Sequence, residues 1–355
     1  MFPVTSRIHT MKYYAFTLLF ACLAFLGCRQ KEKYPYETSD FRPALQYHLK
    51  NIVAVNQLTA YDSLTNNFLN DSCTKEELMH MINFSNPLVR IVAYRAIVKR
   101  EEPDYFPILL NHLDDTAKVT WWYFNDAADD FMVSDLMIRQ VIPEGKDKLT
   151  KLQKDSLIDA VLIRHNYLDM AQWMIEDLQP QEKYYSIVRL LAQRTRTSCH
   201  GLSNIYALSK FKKQEDIPFI QKNFSTYTDN NYCNVYYFKS IEVFPDTVFF
   251  PLLTMYFEEV IKKKKQEDFD NLQYYCRALV QYKNQSSLNI LTALSKKETY
   301  PDTTCFSFNQ QYIFLAIHKY PAPLYDALYN DLKPQMDDYI IKYLDRTHYN
   351  DETTW

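Results

Sequence analysis

Glycine is scarce: Gly27, Gly145 and Gly201 are the only three in 355 residues, against an ordinary share of about 7%. Phosphate-cradling loops, dinucleotide-binding turns, nucleophile elbows and most tight β-hairpins place glycine where φ is positive or where backbone must approach a ligand. A chain so poor in glycine can build few of these. Helices joined by short polar turns need little of it, so the shortage favours an all-α fold and counts against an enzyme; no catalytic residue and no cofactor is expected. An excess of one charge is missing too. Forty basic residues face 43 acidic ones, which leaves no global electrostatic footprint for nucleic acid or anionic lipid.

Metal motifs are also lacking. There is no H-E-x-x-H and no C-x-x-C, and His112, beside Asp114 and Asp115, has no second histidine at ligand spacing, so no metal is expected. Five cysteines follow Cys28, at positions 73, 199, 233, 276 and 305. Their odd number and irregular spacing predict small buried residues rather than a disulfide framework. Cys199 and His200 are adjacent, but sequence neighbours rarely face each other as a nucleophile and base, and no glycine-rich oxyanion loop adjoins them.

At the N-terminus, "MKYYAFTLLFACLAFLGCRQKEKYPYE" from Met11 sets one lysine before an apolar run from Tyr13 to Leu26. The run is short for a mature transmembrane helix and suits the core of a secretory signal, with residues 1–27 removed and Met11 the expected start. "LAFLGC" resembles the lipobox of bacterial lipoproteins, in its looser Bacteroidota form; Gly27 and Cys28 match, while Phe25 and Leu26 are bulkier than usual there. The resemblance implies that Cys28 is lipidated and anchors the chain to a membrane, with residues 28–40 as a tether. Within that resemblance, Arg29, in place of the aspartate of an inner-membrane retention signal, implies the outer membrane, and the lack of an acidic cluster after Cys28 implies a periplasm-facing body, with the cell surface as the alternative.

The body is rich in helical periodicity, and 47% hydrophobic residues are enough for a continuous core. In "SNPLVRIVAYRAIVKREEPDYFPILLNHL", from Ser85 to Leu113, Val89, Val92, Ala93, Ala96 and Ile97 form one amphipathic stripe and Phe106, Leu109, Leu110 and Leu113 form a second. Pro103 breaks the first helix and Pro107 sits in the first turn of the second, where its missing N–H costs nothing. The second helix is echoed at 216–224, 249–257, 286–294 and 321–329, with anchors Pro107, Pro218, Pro251, Leu288 and Pro323 separated by 111, 33, 37 and 35 residues. Pro143 and Pro180 stand near the places of two intermediate copies. Ala96, Ala207 and Ser240 each lie eleven residues before an anchor, and Ala278 and Ala316 join them with small gaps; a small residue there lets helices pack closely.

"NPLVRIVAYRAI", with Pro87, Val89, Arg90, Ala93 and Ala96, resembles the first helix of a HEAT repeat. The resemblance implies an α-solenoid of stacked helical hairpins with a period of about 33–38 residues, spanning 85–333 between N-terminal capping helices at 41–84 and a capping helix with a polar tail at 334–355. It also implies binding or scaffolding.

Residues for that binding are sought where the repeat is least regular. Within the 111-residue interval, Trp121, Trp122 and Tyr123 precede "FNDAADDFMVSD", whose Asp126, Asp129 and Asp130 would share a face if the segment were helical. These six residues are the candidate contact site for a protein partner in the envelope. A glycan or peptide held by concave-face aromatics is the alternative, and an α/α-toroid enzyme acting on polysaccharide ranks third.

Overall fold

The computed structural model describes residues 33–58, 63–122, 127–142, 148–194, 199–224, 231–262, 269–296, 308–342 and 344. The fold is mostly helical: eighteen α-helices and one two-stranded sheet occur among the described residues. The chain divides into two compact units, Met1–Lys148 and Leu149–Trp355.

The first unit is built around one helix. Its α-helices are α1 (Pro43–Val55), α2 (Ser63–Asp71), α3 (Lys75–Met81), α4 (Pro87–Lys99), α5 (Tyr105–Asn111) and α6 (Val133–Val141), with strands β1 (Lys118–Trp122) and β2 (Ala128–Met132) between the last two. Asn86 caps α4 by accepting from the Leu88 amide, and Pro87 occupies its first turn. α4 contacts all five other helices and β1. Its apolar residues accordingly surround it instead of forming a single stripe, and ten of its thirteen residues are buried.

One of the ten is Arg90, 1% exposed. Its Nε and Nη2 donate to the two oxygens of Asp115 at 2.7 and 3.0 Å, and its Nη1 donates to the carbonyls of Phe84 and Ser85 at 2.8 and 2.9 Å. The Tyr34 ring lies 3.9 Å from the guanidinium carbon. Four of the five guanidinium N–H groups are thus hydrogen-bonded and the charge is paired, the condition under which burying it is tolerable. Tyr34 and Tyr36 belong to the segment read as a tether, yet Tyr36 bonds through its backbone to Asn83 and Ser85. From Lys33 onward the chain is in contact with the body.

The second unit contains α7 (Lys151–Arg164), α8 (Asp169–Asp177), α9 (Glu182–Arg194), α10 (Cys199–Ser209), α11 (Ile217–Phe224), α12 (Val235–Val243), α13 (Phe250–Tyr256), α14 (Phe269–Val280), α15 (Gln285–Ser295), α16 (Phe308–Lys319), α17 (Asp326–Leu332) and α18 (Asp338–Lys342). All five echoes of the template are helical, at α5, α11, α13, α15 and a 3-10 turn leading into α17. Pro180 lies in the loop before α9, and Pro143 is outside the described residues.

Five alternate helices pack in a row: α8 on α10, α10 on α12, α12 on α14 and α14 on α16. The small residues Ala207, Ser240, Ala278 and Ala316 are buried in the last four of them. Asn204, Asn234, Asn271 and Asn309 are buried as well, within or just before the first two turns of the same helices. Asn204 and Asn309 donate to the Leu191 and Leu294 carbonyls at the ends of the preceding helices, which relieves acceptors that a helix C-terminus leaves open. Aromatic residues fill much of the space between these helices: Tyr184, Tyr256, Tyr275 and Tyr325 are fully buried, and Phe238 meets Tyr256 and Tyr275 edge-on at 4.8 and 5.2 Å.

Two expectations are corrected. Residues 128–132 form a strand, paired antiparallel with 118–122, where a helical aspartate face was expected; β-branched and aromatic Val119, Thr120, Trp121, Trp122 and Phe131 outweigh the i, i+3, i+4 spacing of the acids. Cys199 and Cys233 form a disulfide with a Cα separation of 4.9 Å, while Cys73 and Cys276 are buried free thiols. The pairing is hidden in the sequence because the cysteines stand 34 residues apart and become neighbours only through helix packing.

Replacing Asp115 by alanine leaves the Arg90 charge buried without its counter-ion. It should cost about 3–5 kcal/mol of stability, visible as a lowered urea midpoint; a midpoint within error of wild type would contradict the role assigned to the pair.

Candidate functional site

Four of the six residues singled out from sequence are described, and they share the β-hairpin. Trp121 packs edge-on against Phe131 at 5.6 Å beneath the Arg139 guanidinium. Trp122 donates its indole N–H to Gln57 Oε1 at 2.7 Å, and the backbone of Leu58 pairs with both Thr120 and Trp122. Asp130 accepts from Thr120 Oγ1 at 2.6 Å. Asp129 and Asp130 are exposed on β2, where successive side chains point to opposite faces. The hairpin brings Trp121, Trp122, Asp129 and Asp130 together but spends both indoles on packing and hydrogen bonding. Tyr123, Asp126 and Cys28 lie outside the described residues.

A concavity lies in the second unit. A cavity of about 620 Å³ runs across all five helices of the row. Its walls repeat a register: Ser203, Tyr236 and Tyr274 stand at one position of α10, α12 and α14, and Tyr206, Lys239 and Arg277 stand one turn further on. Both series are spaced by 33 and then 38 residues, and the second series immediately precedes the small residues Ala207, Ser240 and Ala278. The position that lets the helices approach therefore also fixes which side chain faces the groove.

Acids and bases in the groove are held by one another. Glu176 of α8 accepts from the Tyr236 hydroxyl at 2.9 Å and from Lys239 Nζ at 3.3 Å, both on α12. Glu242 of α12 repeats the arrangement with the Tyr320 hydroxyl at 2.6 Å and Lys319 Nζ at 3.4 Å, at and just beyond the end of α16. Each carboxylate thus takes one tyrosine and one lysine from the next helix but one. Lys239 Nζ lies 5.6, 5.4 and 4.9 Å from the ring centroids of Tyr206, Tyr236 and Tyr274, within cation–π range. Arg277, 3% exposed, lies 4.9 Å from the Tyr274 ring. Trp173, 45% exposed, stands at the mouth.

Burial shapes the remaining charges. It raises the Asp177 carboxyl to about 6, with the neighbouring Glu176 charge adding to the effect, and Lys210 and Lys239 oppose the rise. It lowers the Lys210 ammonium to about 8 against the pull of Asp177 and Glu176. Burial likewise raises the Tyr236 and Tyr320 phenols, so both remain hydroxyl donors at neutral pH. The arrangement offers flat rings, hydroxyls and both signs of charge along one trough. No group of three or more metal-ligating side chains occurs among the described residues.

No protein-family model matches the chain, no curated protein matches it in sequence, and no solved structure matches it in fold. The groove was nonetheless foreshadowed in the sequence. Counting back one and four residues from Ala207, Ser240 and Ala278 yields six of its lining positions.

Because its folded value is raised, Asp177 contributes stability at low pH that is lost as pH climbs through about 6. Asp177→Asn should therefore stabilise the protein at pH 7.5, by about 1 kcal/mol after allowance for solvent at the open side of the groove. Most of that gain should vanish at pH 4; equal shifts in Tm at the two pH values would refute the assignment.

Proposed function

We propose that the chain is a non-catalytic binding protein of the bacterial envelope, a HEAT-like α-solenoid whose second unit holds a segment of another envelope protein in the groove. The observation that carries this reading is the register of the lining. Successive helices present Ser203, Tyr236 and Tyr274, then Tyr206, Lys239 and Arg277, along one trough. A series of equivalent positions suits an extended ligand that meets each helix in turn, and tyrosine with arginine is the composition of protein-binding hot spots.

The anchor belongs to the same proposal. Cys28 carries the lipid, the membrane is the outer membrane, and the body faces the periplasm. The Cys199–Cys233 bond supports an oxidising compartment, since disulfides persist there and are rare in a reducing cytoplasm. No helix among the described residues is long and apolar enough to cross a membrane, which suits attachment by acyl chains.

A second reading, a glycan in the same groove, is favoured by the rings of Tyr206, Tyr236 and Tyr274 around Lys239. The two readings part in experiment. Purification of the full chain from detergent-solubilised envelopes should yield a stoichiometric protein partner, lost at least about tenfold in Trp173→Ala with Lys239→Ala and retained in Trp122→Ala. Loss confined to Trp122→Ala would sink the groove reading and return the site to the hairpin. Glycan-array binding abolished by Tyr206→Ala, with no protein recovered, would establish the second reading in place of the first. Incorporation of labelled palmitate should disappear in Cys28→Ser; persistence of the label would remove the anchor.

A further inference from the structure

The register that lines the groove exists once more, in the first unit. Ala96 of α4 is the small residue that corresponds in sequence to Ala207, Ser240 and Ala278, so Arg95 stands where Tyr206, Lys239 and Arg277 stand, and Val92 where Ser203, Tyr236 and Tyr274 stand. Val92 and Arg95 also line a cavity, of about 100 Å³, in the first unit.

α4 carries two arginines and a third, Arg100, follows it directly; Arg90 and Arg100 are accounted for. Arg90 is held by Asp115 and two carbonyls, and Arg100 donates to the Leu69 carbonyl. Arg95 is part-buried, yet no carboxylate or carbonyl among the described residues pairs with it, and no neighbouring charge offsets the burial that lowers its affinity for its proton. A partly desolvated guanidinium without a counter-ion is unfavourable. Its surroundings are of two kinds. Ile52, Leu58 and Leu88 make an apolar wall, while Gln57, Thr65 and Asn66 add polar groups. Gln57 is oriented by the Trp122 indole, which donates to its amide oxygen and leaves its amide N–H₂ as the donor end.

We propose that this cavity is a binding site for a carboxylate carried on a short aliphatic stem. The guanidinium takes the two carboxylate oxygens in its fork, the Gln57 amide lies on the same rim, and the stem lies on the wall of Ile52, Leu58 and Leu88. The volume is that of about three waters, which fits a small acid or the last residue of a polypeptide and excludes nucleotides and sugars. The inference stands apart from the groove, since it uses other residues and another cavity.

Titration calorimetry on the full chain tests it with butyrate, with acetyl-Ala-Ala-Val bearing a free C-terminus, and with phosphate, all at matched ionic strength. Binding of butyrate or of the peptide, weakened at least about tenfold in Arg95→Gln and unchanged in the equally charge-reducing Lys50→Gln, supports the site. Butyrate without the peptide identifies a free acid as the source, and the peptide without butyrate identifies a chain terminus. A second readout guards against misfolding: without added carboxylate Arg95→Gln should match or exceed wild type in Tm, because it removes an uncompensated charge. Phosphate bound more tightly than either carboxylate, binding unaffected by Arg95→Gln, or no binding at all overturns the proposal.

Discussion

Every element of the second unit depends on how closely neighbouring helices in the row can approach. Interaxial distance is set by the side chains at the contact, and the contacting positions Ala207, Ser240, Ala278 and Ala316 are all small and buried. A leucine at any of them would spread the row, lengthen the 2.6–3.4 Å contacts across the groove and separate the equivalent side chains that line it. The groove is therefore a product of the packing positions.

The carboxylates extend that logic one step further. Glu176 and Glu242 each reach the next helix but one, so the row is held both by neighbour contacts and by longer links over α10 and α14. Because each acid has a lysine and a tyrosine hydroxyl, its charge is largely spent inside the protein. The lysines are spent with them, so what the groove offers outward is more aromatic than its composition suggests: Trp173 at the mouth, and the rings of Tyr206, Tyr236 and Tyr274 around Lys239.

Helices were legible in the sequence and their partners were not. The periodicity of Val89 to Ile97, the proline-marked turns and the scarcity of glycine suffice for a mostly helical chain, because each acts within one or two turns. The β-hairpin escaped notice because short strands obey cross-strand pairing, and Trp121 opposite Asp129 gives no local signal of the kind a helix leaves. The disulfide and the buried asparagines escaped for a related reason: each joins or repeats positions about one repeat apart. Arg90 was read as part of a repeat signature, yet its partner Asp115 lies 25 residues away beyond α5. Function was sought where the pattern broke, while the groove arose where the pattern held.

The Cys199–Cys233 bond has a mechanical consequence. Under tension from its two ends the chain would yield helix by helix, but the residues between these cysteines are held in a closed ring whose ends stay 4.9 Å apart. Fully extended, that segment would span on the order of 110 Å. A chain pulled between a fixed point and a bound partner would therefore lengthen by that much less, and the ring encloses most of α10, including Ser203 and Tyr206 on the groove wall. In an oxidising environment the bond acts as a strain limiter, keeping one panel of the groove from being drawn out into extended chain.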